Sequence, residues 1–233
     1  MGAAASNMAV HILRQALSRN GSARIIVASA PSQDELLSGL TSAAGIDWSK
    51  VTVFHLDEYV GLLPESRASF RYYQEQNLLS KVSGPTFHGI QGESKEVEAE
   101  CKRYSALVEE LPIDLVCMGI GENGHIAFND PGAADFNDPL TVKVVELEEA
   151  CRSQQVNDGC FVDIGSVPKY AITLTCPAIM SARNLVCVVP GLRKAKAVAS
   201  MFGAPISEVC PATVLRRHPR AFTFLDLASS SRL

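Results

Sequence analysis

The chain has 233 residues, 47% hydrophobic and 20% charged, a balance that supplies a sizeable core and excludes a disordered chain. A net charge of −4 with a pI near 5.8 argues against a nucleic-acid partner, which needs a basic excess, and leaves room only for a local cationic pocket. No run of 18 apolar residues crosses a membrane, and an N-terminal stretch interrupted by His11 and Arg14 is no secretory signal.

Taken in chain order, residues 7–19 predict an amphipathic helix ended by Asn20-Gly21, and 23–28 (ARIIVA) a buried strand. Ser29-Ala30-Pro31-Ser32 breaks that strand, and Ser32 with Glu35 has capping-box spacing for a helix running to about Ala43. Residues 51–56 (VTVFHL) predict a second strand, 57–64 a loop, 66–79 a helix and 94–110 another. Then come a strand at 113–118 (IDLVCM), a long irregular stretch over 119–139, and a strand-like alternation over 140–147. A helix at 148–156, strands at 170–175 and 185–189, a helix at 194–201 and a last strand at 221–225 complete the chain.

Helices alternate with short, continuously apolar strands, the pattern of a parallel sheet covered on both faces. With no repeat, linker or low-complexity tract, a single α/β domain over residues 1–233 is expected. The chain holds seven cysteines and no Cys-x-x-Cys; Cys117, Cys176 and Cys187 lie in apolar runs, as buried reduced thiols of a cytoplasmic protein do.

Ligands of such sheets bind beyond the carboxyl ends of the strands, which directs attention to three segments. After the first strand, Ser29, Ser32 and Gln33 open a helix whose N-terminus suits a phosphate; plain N-capping by Ser32 accounts for the same residues. After the second strand, Asp57 stands where burial raises a carboxyl pKa toward neutrality, as suits a base that removes a carbon-bound proton, or it is an ordinary loop carboxylate. Glu58 points the other way if the chain is extended there.

After IDLVCM, Gly119, Gly121 and Gly124 spell G-x-G-x-x-G, but His-Ile-Ala-Phe-Asn-Asp-Pro follows in place of a long helix, so a dinucleotide site is rejected. His125 among these glycines has Asp130 five residues on, an imidazole and carboxylate fit for acid/base work or a histidine bonded within its own loop. His55, Asp57, His125 and Asp130 could meet around a metal, but no H-x-x-x-H, H-E-x-x-H or cysteine pair supports that reading, and no metal or other cofactor is expected.

Five segments together resemble the glucosamine-6-phosphate deaminase (isomerase) family: LDEYVGL at 56–62, MGIGENGHIAFNDPG at 118–132, VPKYAITLT at 167–175, VVPGLRKAKAV at 188–198 and LRRHPRAFTFLD at 215–226. The likeness covers about residues 23–226 and implies a three-layer, modified Rossmann-like α/β fold with a mainly parallel twisted sheet. It implies conversion of an amino-sugar 6-phosphate to a ketose 6-phosphate plus ammonia. Asp57 then matches the base working between C2 and C1, and His125 the group that opens the pyranose ring. Asp130 stands where the family has Glu as partner to that histidine, and Asn123 where members have Asp or Asn. Lys194 matches a phosphate-contacting lysine, joined by Ser29, Ser32, Gln33 and Gly124. No arginine falls in register near 156–161, and Arg152 is the nearby basic substitute.

The resemblance also implies a lid at 148–166, a small sugar phosphate as the partner, no membrane association and room for a homo-oligomer. A 6-phosphogluconolactonase-like hydrolase and a non-catalytic sugar-phosphate sensor are the alternatives.

Overall fold

A computed structural model describes residues 1–157 and 159–233, without the side chains of Ala150 and Gln154; Asp158, inside the expected lid, lies outside the described residues. In chain order the elements are α1 (Gly2–Asn20), β1 (Ala23–Val27), α2 (Asp34–Thr41), β2 (Val51–His55), β3 (Asp57–Tyr59), α3 (Phe70–Asn77), β4 (Thr86–His88) and α4 (Val97–Glu109). They continue with β5 (Leu115–Met118), β6 (Val142–Glu146), α5 (Glu149–Asn157), β7 (Tyr170–Leu174), α6 (Cys176–Met180), β8 (Leu185–Val189), α7 (Ala195–Gly203) and β9 (Ala221–Leu225).

Six strands form a parallel sheet in the order β4-β2-β1-β5-β8-β9. The fold is therefore α/β with helices on both faces. β1, β5 and β8 are buried at every position because both faces are covered. Successive side chains divide between two cores. Ile25, Val27, Leu115, Cys117, Val186 and Val188 pack with Leu13 of α1 and Leu36 and Leu40 of α2. Ile26, Val116, Met118, Leu185 and Cys187 pack on the opposite side with Tyr104 of α4 and Val198 of α7.

A second, antiparallel sheet of order β3-β7-β6 extends this opposite core through Val142, Ile172 and Leu174. The alternation at 140–147 thus belongs to a separate sheet. A smaller cluster of Tyr59, Phe70, Phe128, Val145, Leu147, Cys151, Val167 and Ala171 links that sheet to α5 and the segment after it.

Several local expectations change. The helix predicted from residue 7 starts at Gly2 and ends on Gly21, whose left-handed conformation (φ 75°) lets its N–H donate to Leu17 O at 2.9 Å. Ser32 is not an N-cap: residues Pro31–Gln33 form a 3₁₀ turn before α2, without a side-chain cap. Glu35 instead accepts from Gly2 N at 3.1 Å, placing its carboxylate on the positive end of α1. The loop expected from residue 57 begins with β3, and the helix expected from 66 begins at Phe70, where the Ser69 side chain accepts from Arg71 N. β4, three residues at the sheet edge, has no counterpart among the expected strands. Among the described residues no helix is long and apolar enough to cross a membrane.

Candidate active site

The sheet changes direction between β1 and β5: the chain leaves β1 toward β2 on one side and β5 toward β8 on the other. Such switch points leave a crevice above the carboxyl ends of the strands. Here it is a cavity of about 320 Å³, walled by the residues that follow β1, β2, β5 and β8. That volume lies at the small end of ligand cavities and suits a monosaccharide phosphate better than a dinucleotide. The glycine-rich segment after β5 opens no helix, which agrees with rejecting a dinucleotide fingerprint.

Asp57 lines the cavity and is 8% exposed. As the first residue of β3 it stands opposite Thr173 of β7, and Leu174 N donates to Leu56 O at 2.9 Å just before it. Burial, reinforced by the neighbouring Glu58 carboxylate, pushes the Asp57 carboxyl up to about 8. Strand alternation turns Glu58 to the other side, fully buried. There its Oε1 accepts from Tyr59 N and Phe70 N, both at 3.0 Å, and its Oε2 from Ser69 Oγ and Arg71 N, both at 2.9 Å. Burial raises the Glu58 pKa and these donors oppose the rise. Glu58 thereby ties the start of α3 to β3 and fixes the backbone that carries Asp57.

On the facing wall, His125 lines the same cavity. Its ring lies over Gly121, where an added Cβ would come within 2.2–2.4 Å of imidazole atoms. Gly121 N donates to His125 O at 2.9 Å, closing the loop on itself. Gly124 has φ +86°, and an added Cβ there would meet Cys210 Sγ at 2.5 Å, so this position needs glycine twice over. Ala127 takes a left-handed φ of 48°, uncommon for a residue with a Cβ. The Asn129 side chain holds that turn by donating to Ile126 O at 2.9 Å and Leu174 O at 2.8 Å.

Asp130 reaches the imidazole despite its short side chain: Oδ1 lies 3.0 Å from Nδ1 of His125. Asn123 donates from Nδ2 to the same Oδ1 at 2.8 Å and accepts His125 N on Oδ1 at 3.0 Å. Burial alone would raise the Asp130 pKa; contacts with His125, Asn123 and the Cys151 thiol outweigh it and hold the carboxyl below its usual range. An ionised carboxylate beside Nδ1 orients a ring whose other nitrogen can move protons.

The end of the cavity beyond β1 and β8 is polar and cationic. Ser29 and Ser32 line it from one side, Arg193 and Lys194 from the other. Ser29 Oγ accepts from Gln74 Nε2 at 2.8 Å, and Ser32 Oγ accepts from Gln33 Nε2 at 3.1 Å. Arg193 Nε pairs with Glu122 Oε1 at 3.2 Å, joining this end to the glycine loop. The α2 and α7 N-termini follow these two turns and add partial positive charge.

Asp57, His125, Ser29, Ser32 and Lys194 all border the cavity. Asn123, Asp130, Gly124 and Gln33 stand behind its wall and shape the residues that form it. Arg152 is not a wall residue: its guanidinium donates to Ile164 O at 2.6 Å and Val167 O at 3.0 Å, closing the segment after α5. Among the charged, amide and thiol side chains that line the cavity, sequence reasoning passed over Arg193, Gln155 and Cys160. The Arg193-Lys194 pair just past an apolar strand was a readable signal, whereas nothing local marks Gln155 or Cys160.

The comparisons with known proteins agree with this architecture. The family described as glucosamine-6-phosphate isomerases/6-phosphogluconolactonase matches residues 1–223. A glucosamine-6-phosphate deaminase of Bacillus thuringiensis (strain Al Hakam) is 40% identical over 181 residues, 78% of this chain and 67% of that protein. The solved structure of a monomeric glucosamine-6-phosphate deaminase superposes with a TM-score of 0.91 at 29% identity, covering 100% of this chain and 97% of the other. A 6-phosphogluconolactonase from Shewanella baltica, at 19% identity and a TM-score of 0.77 over 97% of this chain and 94% of its own, shares the fold. With a family match that runs through every strand from β1 to β8 and through both walls of the cavity, the chain belongs to the glucosamine-6-phosphate isomerase/6-phosphogluconolactonase family.

Proposed function

We propose that the chain converts glucosamine 6-phosphate and water to fructose 6-phosphate and ammonia, a deaminating aldose–ketose isomerisation. The carrying observation is the cavity itself: a buried carboxyl on one wall, an imidazole backed by a carboxylate on the facing wall, and two cationic side chains at the end. The phosphate dianion would rest against Lys194, Arg193 and the Ser29–Ser32 turn, where charge-assisted bonds are strongest.

His125 opens the pyranose by taking the C1 hydroxyl proton and giving a proton to the ring oxygen, with Asp130 and Asn123 setting the ring. The ionised Asp57 then takes the C2 proton while the aldehyde oxygen takes one from the substrate's ammonium group, giving an enolamine across C1 and C2. Returning the Asp57 proton to C1 makes C1 a hydroxymethyl carbon and the amine-bearing C2 an iminium. Water adds at C2, and ammonia leaves with its bonding pair. Consumption of that water is what places the reaction among hydrolases. The segment 148–166, which contributes Gln155 and Cys160, is read as a cover over the bound sugar.

A lactonase needs an imidazole to activate water but gives a buried carboxyl at Asp57 no task, so the raised carboxyl favours the isomerase. The deciding experiment supplies glucosamine, galactosamine and mannosamine 6-phosphates and 6-phosphogluconolactone, and measures ammonia and ketose phosphate. Ammonia with ketose phosphate in equal amounts from the glucosamine ester is the expected outcome. Lactone hydrolysis without ammonia would replace this reading, and binding without turnover of any of the four would make the protein a sensor.

A further inference from the structure

His125, Asp130 and Cys151 form a buried cluster in which one ligand atom from each lies within 4.8 Å of the others. Cys151 and Asp130 are each 1% exposed and His125 is 9% exposed. The cluster joins two separate pieces of chain, because Cys151 sits on α5 while the other two belong to the glycine loop after β5. His125 Nδ1 is 3.0 Å from Asp130 Oδ1, yet among the described residues Nδ1 and Asp130 Oδ2 are buried without a well-aligned hydrogen bond. Nitrogen, oxygen and sulfur donors are the set that tetrahedral zinc takes, and with bonds of about 2.0–2.3 Å such ligands stand roughly 3.3–3.7 Å apart.

We infer that His125, Asp130 and Cys151 form a zinc-binding site that competes with catalysis. Nδ1 of a neutral imidazole, one Asp130 oxygen and the Cys151 sulfur bind the ion, and the thiol proton leaves to solvent. The carboxylate and thiolate together balance the two positive charges, which a buried site requires. A fourth ligand, such as a water, would complete the tetrahedron. Magnesium and calcium, which prefer oxygen ligands, do not replace zinc here. Bound zinc takes both members of the imidazole–carboxylate pair out of use and pins α5 to the glycine loop.

The test has a binding arm that does not depend on the proposed reaction. Cobalt(II), titrated as a spectroscopic stand-in into the full-length protein, gives a thiolate-to-metal charge-transfer band at one equivalent, and zinc abolishes it. Cys151→Ser keeps a hydroxyl beside Asp130 but removes the soft ligand; it loses the band and binds zinc at least about tenfold more weakly, while Cys160→Ser keeps both properties. Asp130→Asn, with circular dichroism to show that each variant is folded, weakens zinc binding without removing the thiolate band. A band that survives in Cys151→Ser, or disappears in Cys160→Ser, overturns the site.

The inhibition arm rests on the roles proposed for His125 and Asp130. Zinc inhibits the unmodified protein reversibly, a chelator restores activity, and magnesium is without effect. Each variant is compared with its own zinc-free rate, so that Cys151→Ser reads as a shift of at least about tenfold in the inhibitory concentration. Zinc bound at one equivalent without loss of turnover would overturn the claim of competition and count against the catalytic roles of the pair, leaving the binding site itself established.

Discussion

Gly121 provides the bare surface on which the His125 ring rests, and a single added carbon there would collide with the imidazole at 2.2–2.4 Å. Gly121→Ala is therefore expected to displace the ring while the sheet folds as before. Turnover should fall by about 10²-fold or more, the scale of losing a positioned acid/base group, with stability lowered by about 1–3 kcal/mol, the usual cost of overpacking a buried site. Unaltered activity would mean that the ring works in another position.

Asp57 carries a pH prediction. Its carboxyl, pushed up to about 8, must lose a proton before it can accept one from carbon. kcat/KM should rise with pH along a limb centred near that value and level above it. Asp57→Asn should lower kcat by about 10²–10⁴-fold and leave affinity for an acyclic amino-sugar phosphate nearly unchanged.

The same group makes stability pH-dependent. Between 3.8 and about 8 the folded chain holds a proton that the unfolded chain has released, so stability falls as pH rises through that window. Asp57→Asn removes this slope. Its melting temperature should therefore gain on that of the unmodified protein when the two are compared at about pH 9 rather than about pH 5.

Arg193→Ala tests the cationic end of the cavity. Removing one charge-assisted contact, worth about 1.5–3 kcal/mol, should raise KM about tenfold or more, with a much smaller change in kcat. Competition by inorganic phosphate should weaken in parallel. An unchanged KM would put the phosphate elsewhere.

Glu58→Gln should damage the fold before the chemistry. Four donors converge on the two carboxylate oxygens, and an amide presents one oxygen to them and turns its own N–H groups toward the rest. Leaving two buried donors unpaired costs about 2–6 kcal/mol, to be read from chemical denaturation.

The parallel strands were legible because a strand buried on both faces is written as an unbroken apolar run, as in ARIIVA and IDLVCM. The placement of Asp57 and His125 just beyond such runs followed from the same logic. What stayed hidden depended on partners far along the chain. Asp57–Tyr59 reads locally as a loop and becomes a strand only because Ala171–Thr173 pairs with it. Ser32 and Glu35 have the spacing of a local cap, yet Glu35 is engaged by Gly2 N instead. Arg152 looked like a ligand for phosphate until backbone carbonyls of Ile164 and Val167 claimed it. Cys151 gave no sign of its meeting with Asp130, because helix α5 must first fold back over the glycine loop.

Thr173 has a wider consequence. It stands opposite Asp57 in register, and its hydroxyl accepts from Phe128 N at 3.1 Å, three residues beyond His125. One residue of β7 thus ties both halves of the chemistry together, its backbone in register with Asp57 and its hydroxyl on the loop that carries His125. Slipping the strand itself by a residue would separate proton donor from proton acceptor in one stroke.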